Sequence, residues 1–198
     1  MNSPTPDLSG YGLAGLKDVT AAGFAEPPMA GAELPTLLGS LERQRATFRW
    51  KASGLSAPQM QVRVGASTLT LGGLVKHLAL VEDTWFQWRL WGSMPEPWRS
   101  VDWDATPDWE WQTARDDTPD ALFELWEAAV GRARTSIGSA YADGGLERLA
   151  DTAWPDGRQP SLRRMLVDII EEYARHVGHA DLIRESIDGL VGEDPPRP

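Results

Sequence analysis

Apolar positions recur at helical spacing in four stretches of the chain, separated by segments rich in Gly, Pro and Asp. From Glu33, residues Leu34, Leu37, Leu38, Leu41, Phe48, Ala52 and Leu55 mark one face, and Gly54 lies where that helix should stop. Thr70 is the expected N-cap of a second helix through Leu71, Leu74, Val75, Leu78, Val81, Trp85 and Trp88, ending before Gly92. Its Gly72-Gly73 pair weakens the first turn unless something approaches closely there. Thr118-Pro119-Asp120 opens a third helix with a cap, a proline at the first helical position and an acid in the first turn, ahead of the stripe Leu122, Leu125, Trp126, Ala129, Ala133 and Ile137. Ser161 caps a fourth, carrying Leu162, Met165, Leu166, Ile169, Tyr173, Ala180, Ile183 and Ile187 and stopping near Gly189.

Residues 1–32 read as an extended N-terminal arm, 33–190 as one helical domain and 191–198 as a C-terminal tail. Residues 56–69 form a connection with a short extended piece, and 141–160 form another. The connection 92–116 is long and holds Trp98, Trp103, Trp109 and Trp111, a content that argues for order and for a functional role. These tryptophans are expected to cover the mouth of the bundle or a dimer surface, whereas Trp50, Trp85, Trp88 and Trp126 fall at packing positions. Four long amphipathic helices with little strand signal predict an all-α protein, a four-helix bundle with long connecting loops whose sites face the interior.

Composition removes several function classes. The 198 residues suffice for one domain with a sizeable core. There is no cysteine, hence no disulfide, no thiolate nucleophile and no zinc finger, and any metal must be held by nitrogen and oxygen. A balance of 19 basic against 29 acidic residues, net −10, repels phosphate backbones; with no basic patch along the chain, neither nucleic acid nor a membrane is an expected partner. The first residues lack the basic and apolar regions of a signal peptide, and no apolar run reaches spanning length, so a cytoplasmic location is expected.

The chain has only three histidines, and all fall on inward faces. At about 100° per residue with Glu172 at zero, His176 lies near about 40° and His179 near about −20°, among Met165, Ile169 and Ile183. His77 likewise falls within the stripe of Leu74, Val81 and Trp88. A buried ionised group is normally paired or bound to a metal. Two readings therefore stand: the histidines and Glu172 converge on a divalent cation, or they satisfy core hydrogen bonds, with Glu172 paired to Arg45 or Arg175. Arg89 and Arg184 are candidate anchors for a substrate carboxylate, against the ordinary reading of surface ion pairs.

The segments Leu71-Gly72-Gly73-Leu74-Val75-Lys76-His77-Leu78-Ala79 and Glu171-Glu172-Tyr173-Ala174-Arg175-His176-Val177-Gly178-His179-Ala180-Asp181, with Leu41-Glu42-Arg43-Gln44-Arg45 and Trp50-Lys51, resemble the DinB superfamily in its mini-circle-protein-like branch, over about residues 26–190. The resemblance implies an up-down-down-up bundle, commonly a homodimer. It also implies a divalent metal held by a histidine of the second helix and two residues four apart in the fourth. Carried onto this chain, these are His77, Glu172 and His176, similar to the His-Glu-His set of mycothiol-dependent maleylpyruvate isomerases. His179 stands where many members carry glutamine, and is either a supporting group or the alternative third ligand.

Zinc is the favoured metal, with nickel, iron and manganese as the other members of the set. Such a ligand set leaves coordination positions open. The implied activity is that of a metal-dependent transferase or isomerase joining a low-molecular-weight thiol to an electrophilic substrate, and the branch that the chain resembles, with its Arg-rich, Lys-poor composition, implies mycothiol as that thiol. Two alternatives remain at this stage, a non-catalytic metal-binding or stress-related protein and a purely structural bundle.

Overall fold

A computed structural model describes residues 27–195; residues 1–26 of the expected arm and 196–198 of the tail lie outside the described residues. The predicted helices form at the expected places. They are α1 (Glu33–Ala52), α2 (Leu71–Asp83), α4 (Pro119–Gly144) and α5 (Leu162–Asp188), and a single helical turn, α3 (Trp109–Thr113), adds to them within the long connection. Among the described residues there is no strand, only an isolated bridge between Leu149 and Ser161. The protein is all-α, and none of its described helices is long and apolar enough to cross a membrane.

The starts are set by capping side chains. Thr70 Oγ1 accepts the Gly73 N–H at 3.0 Å, Thr118 accepts from Ala121 and Ser161 from Arg164, each relieving an amide that has no partner within its own helix. At the other end of α5, Gly189 adopts φ 76°, a left-handed geometry that a side chain disfavours. Thr70 is buried, so its cap has no ready substitute in water. Thr70→Ala is expected to lower stability by about 1 kcal/mol, seen as a lower urea midpoint with an unchanged m-value.

Helix directions follow from the pairs that meet. Glu33 and Lys51 of α1 bind Arg163 and Asp181 of α5, in the same order along both helices. Gly72, Asp83 and Gln87 face Leu122, Arg132 and Ser136 along α4, again in the same order. Glu82 meets Tyr173, whereas the earlier His77 meets the later His176, so α2 runs against α5. The bundle is up-down-down-up, with Leu41, Phe48, Leu74, Leu78, Met165 and Ile169 fully buried at its centre.

One polar network crosses that core. Arg45 is clamped between Glu42 at 2.7 Å and Glu82 at 2.6 Å, and Arg134 binds the same Glu42. Tyr173 donates its hydroxyl to Glu82 at 2.7 Å and accepts from the Trp126 indole at 2.8 Å. Every charge in the cluster has an opposite partner, which is the condition for leaving ions inside a bundle.

Two tryptophans depart from expectation. Trp98 is fully buried rather than covering the mouth or a dimer surface, because its indole donates to the buried carboxylate of Asp83 at 2.8 Å and its ring meets Trp109 edge-on. Trp88, read as a packing residue, is exposed beneath the Arg89 guanidinium. The cause is local: after Asp83 the helix loosens into a π-helical stretch, Thr84–Arg89, and wider turns rotate later side chains away from the 3.6-residue stripe. The segment expected to be extended begins with a short 3₁₀ turn, Gln59–Gln61, before Val62 becomes extended.

Candidate metal centre

His77 enters from the middle of α2, and Glu172 and His176 project from neighbouring turns of α5. Glu172 Oε1 lies 3.3 Å from His77 Nε2 and 3.0 Å from His176 Nε2, and one ligand atom from each residue can be chosen so that all lie within 4.8 Å of one another. A tetrahedral cation with bonds of about 2.0–2.1 Å keeps its ligand atoms about 3.3 Å apart, so the carboxylate-to-imidazole spacings already match such an ion. Two imidazoles and a carboxylate, chemically suited to a borderline divalent metal, fit the requirement.

His179 occupies a different position. Its Nδ1 lies 3.2 Å from His176 Nδ1, on the edge of that ring turned away from Glu172, and it is only half-buried. The structure thus brings His77, Glu172 and His176 together and sets His179 behind His176. Arg45, the alternative partner of Glu172, is instead held by Glu42 and Glu82, and Arg175 is exposed.

The surroundings act on each group. Burial works against a charged His77, but hydrogen bonds to Glu110 and then Glu172 outweigh it and raise its pKa above the ordinary histidine value. Hydrogen bonds from His176 and His77 hold Glu172 well below the usual carboxylate range, keeping it an anion. Burial, followed by the neighbouring His176, pushes His179 down, toward the neutral imidazole.

Sequence reasoning missed Glu110 and placed Trp111 only among four tryptophans expected to cover the mouth of the bundle or a dimer surface; both residues lie on α3. Glu110 Oε1 lies 3.2 Å from His77 Nδ1, and the Trp111 ring stacks on the His77 face with centroids 4.4 Å apart and planes 24° apart. The available signal was the Gly72-Gly73 pair. A Cβ on Gly73 would lie 2.9 Å from Trp111 Cε3, so the bare backbone at the start of α2 is what lets the indole reach the imidazole. Trp111 also lines a polar cleft of about 540 Å³ with Gln61, Arg63, Thr68, Thr70 and Arg115.

The candidate carboxylate anchors are engaged elsewhere. Arg89 lies between the Trp88 and Trp154 rings and donates to the Ala153 carbonyl. Arg184 donates to the carbonyls of Lys51 and Ser53 and pairs with Asp188, tying α5 to the end of α1.

Residues 36–189 match a family described as MST, Mycothiol-S-transferase. A comparison with curated proteins returns no match.

Proposed function

Because the chain belongs to the mycothiol-S-transferase family, within the DinB-like superfamily, we propose that it is a metal-dependent transferase joining mycothiol to an electrophilic substrate at a centre held by His77, Glu172 and His176. The observation that carries the proposal is the convergence of those three side chains, from two helices, inside a chain whose family name supplies the thiol. A divalent cation at such a site, zinc in our reading, lowers the pKa of a coordinated thiol so that a sulfur nucleophile exists at neutral pH.

The protein's own groups divide the remaining work. His77 and His176 present Nε2 toward Glu172, which stays ionised and brings negative charge to the centre. With no cysteine in the chain, no protein thiol competes for that position, and the reacting sulfur comes from the small molecule. The cleft beside Trp111, with Arg63, Gln61 and Thr68, offers hydrogen-bonding groups of the kind a hydroxyl-rich thiol carrier needs. Trp111 belongs to both the cleft and the wall of His77, so the cleft adjoins the centre across the indole ring.

The test combines elemental analysis with turnover. Purified protein should hold about one equivalent of divalent metal per chain, and the loaded protein should conjugate mycothiol to a panel of alkyl halides and activated alkenes at least about tenfold faster than a His77→Ala/His176→Ala double variant, since open-site metals supply a large part of such barriers. Stoichiometric metal without conjugation would make it a non-catalytic metal-binding protein. Absence of bound metal after loading would sink the metal reading altogether.

A further inference from the structure

Every other buried acid among the described residues has an arginine partner: Glu42 and Glu82 bind Arg45, and Asp83 binds Arg132. Glu110 does not. It is 5% exposed, and its only side-chain hydrogen-bond partner among the described residues is the Nδ1 edge of His77. Its second oxygen, Oε2, is buried with no partner at all. Burying a carboxylate this way is costly and contributes nothing to the structural ion network, so its position calls for another explanation.

The imidazole supplies one. A carboxylate is acceptor-only, so the ring nitrogen facing Glu110 carries a proton, and Nε2, which faces Glu172 and His176, is the nitrogen available to a cation bound among the three. Trp111, the next residue, fixes the plane of the same ring by stacking on its face, and Gly73 leaves the space for it. One turn of helix therefore fixes His77 at an edge and at a face. His176 has His179, an imidazole and not a carboxylate, behind its Nδ1. We infer that Glu110 is the positioning residue of the metal centre: it sets the His77 tautomer and, as an anion behind the ring, strengthens Nε2 as a ligand without touching the metal. The otherwise unexplained Trp-rich connection thereby acquires a role, delivering Glu110 and Trp111 to a ligand on another helix.

This inference rests on the proposed role of His77, Glu172 and His176, and the experiment separates the two. Zn²⁺ affinity is measured by competition with a chromophoric chelator, and the ligand field by the visible absorption of the Co²⁺-loaded protein. Glu110→Ala is expected to weaken Zn²⁺ binding by about 10–100-fold and to shift the Co²⁺ bands; Glu110→Gln, which keeps an acceptor oxygen but no charge, should fall between it and the unmodified chain. A loss smaller than tenfold in Glu110→Ala, or a loss that leaves the Co²⁺ bands unmoved, overturns the inference while the metal site stands. If Glu110→Ala fails to fold by circular dichroism, the near-isosteric Glu110→Gln decides on whether it weakens Zn²⁺ and moves the bands. If the unmodified protein takes up neither metal, site and inference fall together.

Discussion

His176→Ala yields a folded protein whose affinity for a divalent cation is lower by about 100- to 1,000-fold. Zinc sites with four protein ligands provide about 10–16 kcal/mol, so each ligand accounts for about 2.5–4 kcal/mol, and each 1.4 kcal/mol is about tenfold. His176 is the better residue to remove than His77. Truncating His77 would strip Glu110 of its only side-chain hydrogen-bond partner among the described residues, and the carboxyl left buried alone would blur a binding loss with a folding one. Behind His176 stands the half-buried His179, and Glu172 keeps His77, so truncation leaves no buried ion alone. Chelator competition on His176→Ala, Glu172→Ala and His179→Ala ranks the ligands directly. Retained affinity in Glu172→Ala alongside a loss in His179→Ala would move the third ligand to His179, and full affinity in His176→Ala would remove His176 from the site.

The largest effect on stability is expected at Glu82. This carboxylate has no exposure to solvent; it holds Arg45 through two hydrogen bonds and accepts the Tyr173 hydroxyl. Glu82→Ala leaves the Arg45 guanidinium inside the bundle with Glu42, which Arg134 already shares, and leaves Tyr173 without its acceptor. Removing one partner of a buried pair costs about 3–5 kcal/mol. For a chain of this size that corresponds to a melting temperature lower by about 6–20 °C, since each kcal/mol moves it by about 2–4 °C. Replacing Glu82 and Arg45 together by apolar residues of similar volume should recover much of the loss, because the penalty comes from the unpaired ion and not from the missing attraction. A drop below about 1 kcal/mol in Glu82→Ala would mean that water reaches the cluster.

The helices were legible because local chemistry and periodicity agree at their ends: Thr70, Thr118 and Ser161 are caps by residue type, and Gly189 takes the left-handed conformation its type permits. The grouping of His77, Glu172 and His176 was legible in part because a polar residue inside an apolar stripe is conspicuous. The order of the helices came only with the resemblance. Glu110 was not legible, nor was the His77 ring as the partner of Trp111, since α3 is a single turn with no periodicity and its place is set by packing against α2 rather than by its own propensity. Trp98 misled for the same reason in reverse. Its position in a connection suggested a surface, while its indole had a buried acceptor in Asp83 that no local pattern announces. Trp88 misled because a periodicity argument assumes an unbroken α-helix, and the π-helical stretch breaks it.

The shared oxygen of Glu172 bridges two helices whose contributions lie 95 residues apart in sequence, His77 in α2 and Glu172 in α5. No partial chain that lacks α5 can assemble the centre, and no local fluctuation of α2 alone can mimic it. A cation that binds only the finished arrangement acts as a ligand of the native state and draws the folding equilibrium toward it, by about 2.7 kcal/mol when the free ion is at a hundred times its Kd. If the centre holds a cation, its capture during synthesis waits for α5 to dock, so occupancy becomes a record of that docking, and metal scarcity would show itself as a shorter lifetime of the protein.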